Sequence, residues 1–138
     1  MHSLSSSDYP VSLRLYHGTS TAAWESIRLT GLRRPFLTDR RDIAAYYAEC
    51  AADEDGSHPI ILVCSVSPDS LQPDWVAYDE PLTLFREDYA ASDAEWFDGC
   101  ESGDIPTPDS ADDWMTALAV VHSVRCLGDV VPQGAEAE

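Results

Sequence analysis

Pro59-Ile60-Ile61-Leu62-Val63-Cys64-Ser65-Val66 is apolar almost without interruption, and chain breakers bound it on both sides. An acidic turn, Asp53-Glu54-Asp55-Gly56-Ser57, precedes it, and Pro68 and Pro73 follow. A short apolar run between breakers predicts a strand, and the lack of alternation predicts one covered on both faces. Such a strand needs neighbours beside it and layers above and below. The rest of the chain must therefore supply both strands and helices.

It does so in a regular order. Val11-Ser12-Leu13-Arg14-Leu15-Tyr16 alternates apolar and polar residues, as a half-buried strand does. Thr21 is placed to cap a helix that carries Trp24, Ile27 and Arg28 on one face and stops at Gly31. Pro35 disfavours helix just before it, so Arg34 to Thr38 reads as extended. Asp39 can cap a second helix running to about Ala52, in which Ile43, Tyr47 and Ala51 recur every four residues and predict a face packed on a sheet. Further on, Glu87 to Gly99 reads as helix and the Asp-, Pro- and Ser-rich segment 102–113 as a loop. Ala117 to Val121 lies in an apolar run that reads as a late strand, with a partner between Arg125 and Val131. The expected fold class is α+β, a single domain over 11–132 with polar tails at 1–10 and 133–138.

With 138 residues and a 44% hydrophobic fraction the chain can bury a real core. No apolar run approaches the ~20 residues of a membrane span, and the first residues lack the basic and apolar regions of a signal peptide. A cytoplasmic protein without membrane contact is the expectation. Cys50, Cys64, Cys100 and Cys126 lie far apart with no CxxC pair, which predicts reduced, mostly buried thiols and no metal site.

The net charge is −17 and the chain has no lysine. Such a surface repels nucleic acid at long range and suits a basic protein partner. Four of the eight arginines crowd together as Arg33, Arg34, Arg40 and Arg41. They either grip a phosphate or pyrophosphate, whose oxygens the guanidinium fork matches, or pair with nearby carboxylates.

The chemistry-bearing cluster is Tyr16-His17-Gly18-Thr19, where the first strand ends. A helix ending in Gly31-Leu32 follows, then Phe36-Leu37-Thr38-Asp39, then Ala44-Ala45-Tyr46-Tyr47-Ala48, and then the apolar strand. This ordered series, over residues 13 to 68, resembles the ADP-ribosyltransferase superfamily of the His-Tyr-Glu type, which includes poly-ADP-ribose polymerases, diphtheria-toxin-like enzymes and the related RNA 2′-phosphotransferases. The resemblance implies a split β-sheet with short helices and a cleft for NAD. It implies that His17 orients a ribose hydroxyl and that Gly18 offers its backbone to the nicotinamide amide. Thr19 would support them, and Tyr47 would stack on the nicotinamide ring in preference to its neighbour Tyr46. Phe36 would form the opposite aromatic wall, and Arg33 and Arg34 would contact the phosphates. Many relatives have a serine where this chain has Ala44.

The family also has a glutamate at the start of a late strand, where it stabilises the charge that develops as the nicotinamide bond breaks. No glutamate stands at the entrance of the strand expected from Ala117, so the acid expected to act is Asp113, beside Asp112. Glu95, Glu101 and Asp104 are further acids without a positional argument. The implied activity is NAD-dependent mono-ADP-ribosyl transfer to a macromolecular acceptor, protein or nucleic acid. The alternatives are an inactive, acidic binding or inhibitory module of the same fold, and an RNA 2′-phosphotransferase-like enzyme.

Overall fold

A computed structural model describes residues 12–137, so the expected tail at 1–10 lies outside the described residues. Six strands form one antiparallel sheet in the order β4-β5-β2-β1-β3-β6. They are β1 (Leu13–Ser20), β2 (Phe36–Thr38), β3 (Pro59–Val66), β4 (Leu71–Pro73), β5 (Ser123–Cys126) and β6 (Gly134–Ala137). Six helices connect them: α1 (Thr21–Thr30), α2 (Arg41–Asp55), α3 (Trp75–Asp79), α4 (Thr83–Arg86), α5 (Asp93–Ser102) and α6 (Trp114–Val120). The class is α+β, as the sequence predicts.

The apolar run forms β3, and Ile61, Leu62, Val63 and Cys64 are all buried. Alternation sends Leu62 and Cys64 to one face, where they join Leu15, Leu37, Val124 and Cys126 in a core closed by Trp24 and Ile27 of α1. A second core gathers Ile43 of α2, Tyr78, Phe85, Trp96, Ala117 and Val120. Trp96 is fully buried, and its indole N–H donates to the Tyr78 carbonyl at 3.0 Å.

The late apolar run is a helix rather than a strand. Asp113 caps it through the Thr116 N–H, and α6 then sends Ala117 and Val120 to one core and Trp114 and Leu118 to the other. A helix wedged between two cores is apolar all round, which removes the periodicity that distinguishes it from a strand. The late strand is β5, beginning at Ser123.

The chain end differs too. Residues 134–137 form β6 on the outer edge of β3 rather than a polar tail. Backbone pairing needs no apolar side chain, and Glu136 is held by Arg14 and Arg41. The helix starts also shift: Ser20, not Thr21, caps α1. Arg40 rather than Asp39 stands at the N-cap of α2, with no side-chain cap bond, while Asp39 accepts from His122 Nδ1 at 3.0 Å. The helix expected over 87–99 is displaced to α5, with Ser92 as its cap.

The buried face of α2 is Ile43, Ala44, Ala48 and Ala52, one position removed from the expected stripe of Ile43, Tyr47 and Ala51. The reason is Gly18. A Cβ built on it would stand 1.8 Å from the Ala44 carbonyl oxygen and 2.7 Å from the Ala48 nitrogen. The bare glycine and two alanines let the helix lie directly on β1. This contact leaves Tyr47 beside the sheet instead of under the helix.

Candidate functional site

β1 pairs with β3 along its whole length but with β2 only at Tyr16–Thr38. Beyond that pair the two strands separate. The His17 side chain enters the gap, and its Nδ1–H donates to the Phe36 carbonyl at 2.9 Å. An imidazole thus satisfies a backbone acceptor that a continued ladder would have used. A cleft of about 560 Å³ opens here. Its floor is made by β1, β2 and the first residue of β5. One wall is α2, and the other is the segment from Asp74 to Leu82.

The hydrogen bond fixes the His17 tautomer: Nδ1 carries the proton, and Nε2 has no partner among the described residues. Burial pushes the imidazole pKa below its usual 6.5, partly offset by the Phe36 carbonyl. His17 is therefore neutral at pH 7, with a lone pair at Nε2. Tyr47 lines the cleft and remains 46% exposed. Burial raises its phenol pKa, and the charge of Asp74 raises it further. Tyr46 also lines the cleft, edge-on to Tyr47 at 5.3 Å. Phe36 lines the floor with the Arg125 guanidinium 5.1 Å from its ring centre.

The carboxylates in the lining are Glu54, Asp74 and Glu80, and no arginine joins them. Asp74 is the most constrained of the three. It is 6% exposed, accepts from the Ala77 N–H at 3.1 Å as the cap of α3, and accepts from the Ser123 hydroxyl at 2.6 Å. It directly follows β4, whose Pro73 pairs with Val124, so its carboxylate reaches the first residue of the neighbouring strand. The cleft therefore combines aromatic faces, a neutral imidazole acceptor and a fixed negative charge. That combination attracts a flat, cationic, hydroxyl-bearing ligand.

His17, Gly18, Phe36 and Tyr47 are thus brought together as the sequence predicts. Four expected contacts are not. Thr19 is buried and lies outside the cleft lining, although it shares a strand face with His17. Asp113 lies outside it as well, and its carboxylate accepts from the Asp109 N–H and from the Thr116 N–H and hydroxyl. Those donors hold its pKa below the usual carboxylate range, and its role is that of a helix cap. Arg33 and Arg34 line a separate pocket with Arg125. Arg40 and Arg41 pair with Asp42 and Glu136. Asp112, Glu95, Glu101 and Asp104 are also absent from the lining.

Sequence reading missed Asp74, Glu80 and Ser123. Pro73-Asp74 does carry a cap signature, but nothing local shows that the segment folds back onto β5. The four thiols are free: Cys64 and Cys126 are buried, Cys100 is half-buried, and Cys50 is exposed at the cleft. Among the described residues no group of side chains has metal-ligand geometry, and no helix is long and apolar enough to cross a membrane.

No protein-family model matches the chain, and no curated protein or solved structure is significantly similar to it.

Proposed function

We propose that the protein is an NAD-dependent ADP-ribosyltransferase whose cleft binds the nicotinamide end of NAD, with transfer to a macromolecular acceptor. One observation carries this reading: His17, Gly18, Phe36 and Tyr47 converge on a single acid-lined cleft where β1 and β2 part. The parting of the two strands also supports an ADP-ribosyltransferase-like split sheet.

Each group has a task its chemistry suits. Nε2 of neutral His17 accepts a hydrogen bond from a ribose hydroxyl, and the Phe36 carbonyl holds the ring in place. Tyr47 stacks on the cationic nicotinamide ring, with Phe36 on the floor. The acid is Asp74. Its negative charge favours the positive charge that grows on the ribose as the bond to nicotinamide breaks, because it is fixed before the reaction by Ala77 and Ser123. The start of the late strand holds Ser123, and the carboxylate comes from the residue that follows the neighbouring strand β4. The bond from the ribose carbon to the nicotinamide nitrogen breaks, and nicotinamide leaves neutral with the bonding electrons. The acceptor's nucleophile forms the new bond and loses its proton. The acidic lining disfavours a phosphate group in the cleft, and with it an RNA 2′-phosphotransferase reaction.

The test is nicotinamide release from NAD and transfer of labelled ADP-ribose. Activity lost in Asp74→Asn and His17→Ala supports the proposal, and activity unchanged in both refutes it. A second reading rests on Ser123 at the strand start: the same cleft binds NAD without turning it over, in an acidic protein that docks on a basic partner. NAD binding with no nicotinamide release selects it.

A further inference from the structure

Arginine use in this chain is sharply divided. All eight arginines lie among the described residues. Arg14, Arg28, Arg40, Arg41 and Arg86 each form an ion pair with an Asp or Glu. Arg33, Arg34 and Arg125 form none among the described residues. These three converge on one pocket of about 550 Å³, outside the cleft, with Gly128 and Asp129 in its wall. In a chain of net charge −17 there are carboxylates in abundance, so three unpaired guanidinium groups in one place are a concentrated exception. Asp129 is the one acid in the wall, and it lies within ion-pair distance of none of them. Three positive groups against one carboxylate leave the pocket positive.

The frame is stitched on both sides. Leu32 and Val130 exchange backbone hydrogen bonds at 2.7 and 2.8 Å, and Cys126 N–H donates to the Pro35 carbonyl at 2.8 Å. The turn carrying Arg33 and Arg34 is thereby tied to the loop carrying Gly128 and Asp129. Arg34 sits at φ +45°, a left-handed conformation that a side chain of its type rarely adopts. Arg125 is held over the Phe36 ring. Two of the three arginines are thus placed by the backbone and an aromatic contact rather than by partner acids.

We propose that this pocket is a binding site for a compact phosphate group, a pyrophosphate or phosphomonoester, gripped by Arg33, Arg34 and Arg125. The inference does not depend on the reading of the cleft. A guanidinium presents paired donors that match phosphate oxygens, and a preformed frame lowers the ordering cost of binding. The positive charge is confined to one pocket on a strongly acidic surface, which favours a compact anion over a long polyanion. Phe36 joins the two sites: its ring lines the cleft, and its face carries Arg125.

The probe is inorganic pyrophosphate, titrated into the full chain by calorimetry at low and at physiological salt. Saturable binding that weakens with salt is expected, with about tenfold or greater loss of affinity in Arg33→Gln/Arg34→Gln and in Arg125→Gln. Arg28→Gln, which removes a surface ion pair on α1, is expected to bind as the native chain does, and melting curves confirm that each variant is folded. Competition between pyrophosphate and NAD assigns the pocket to the dinucleotide's own pyrophosphate. Simultaneous binding of the two assigns it to a phosphate on a different substrate. Absence of saturable binding, or equal affinity in the native chain and the arginine variants, overturns the proposal. Pyrophosphate binding without NAD binding refutes the reading of the cleft and leaves this one standing.

Discussion

Gly18→Ala tests the contact on which the site's geometry rests. The added Cβ would meet the Ala44 carbonyl oxygen at 1.8 Å and the Ala48 nitrogen at 2.7 Å. Both are backbone atoms of α2, so no rotamer change relieves the clash. Ordinary van der Waals contact begins near 3.4 Å, so helix and strand must separate by about 1.6 Å. Overpacking a core costs about 1–3 kcal/mol, and a clash with rigid backbone belongs at the upper end, about 3 kcal/mol. For a domain of this size that corresponds to a fall in Tm of roughly 10 °C. Circular dichroism melting measures it. Gly134→Ala is the control, because a Cβ there meets nothing within 4 Å and the backbone has no positive φ. α2 also carries Tyr47, so the protein that remains folded should bind a cleft ligand more weakly. A Gly18→Ala melting point within about 2 °C of the native value would refute the close approach of α2 to β1.

Three further outcomes follow from the geometry. Asp113→Ala should lower thermal stability slightly and leave any turnover unchanged, since its carboxylate caps α6 outside the cleft, whereas Asp74→Asn should suppress turnover while Ser123 keeps a hydrogen-bond partner; nicotinamide release and melting curves separate the two. His17 has a folded-state pKa below its usual 6.5, so the unfolded chain binds more protons in the window between the two values. Stability therefore falls as the pH drops through 6.5 and levels off once it is below the folded pKa; His17→Asn should remove that component from urea unfolding measured between pH 7.5 and 5. Under native conditions a thiol reagent should modify Cys50 first and be slowed there by a cleft ligand, while Cys64, whose thiol burial pushes up to about 11, and Cys126 should react only on unfolding, as peptide mapping will show.

The binding half of the cleft was legible because its residues are local in sequence. His17 and Gly18 end a strand, Phe36 follows a proline, and Tyr47 lies on the next helix, so short-range patterns place all four. The face of α2 was read one position off, because the packing of Ala44 and Ala48 depends on the absent side chain of Gly18, a residue on another element. The acid was not legible. Asp74 reaches the cleft through the pairing of β4 with β5, and that pairing joins residues about fifty positions apart. Asp113 stood in its place in the sequence reading because a helix wedged between two cores looks like a strand. β6 was missed for a different reason: an edge strand pairs through its backbone, and the composition of Gly134 to Ala137 carries no apolar signal.

Nicotinamide is expected to bind between α2 and the floor of the cleft. Crystals soaked with nicotinamide test it most directly. The ring should stack on Tyr47, with its amide at the Gly18 backbone and Phe36 beneath. Tyr47→Ala should leave that position empty, and Tyr89→Ala should not. Nicotinamide bound elsewhere, or bound equally well in Tyr47→Ala, would contradict the account.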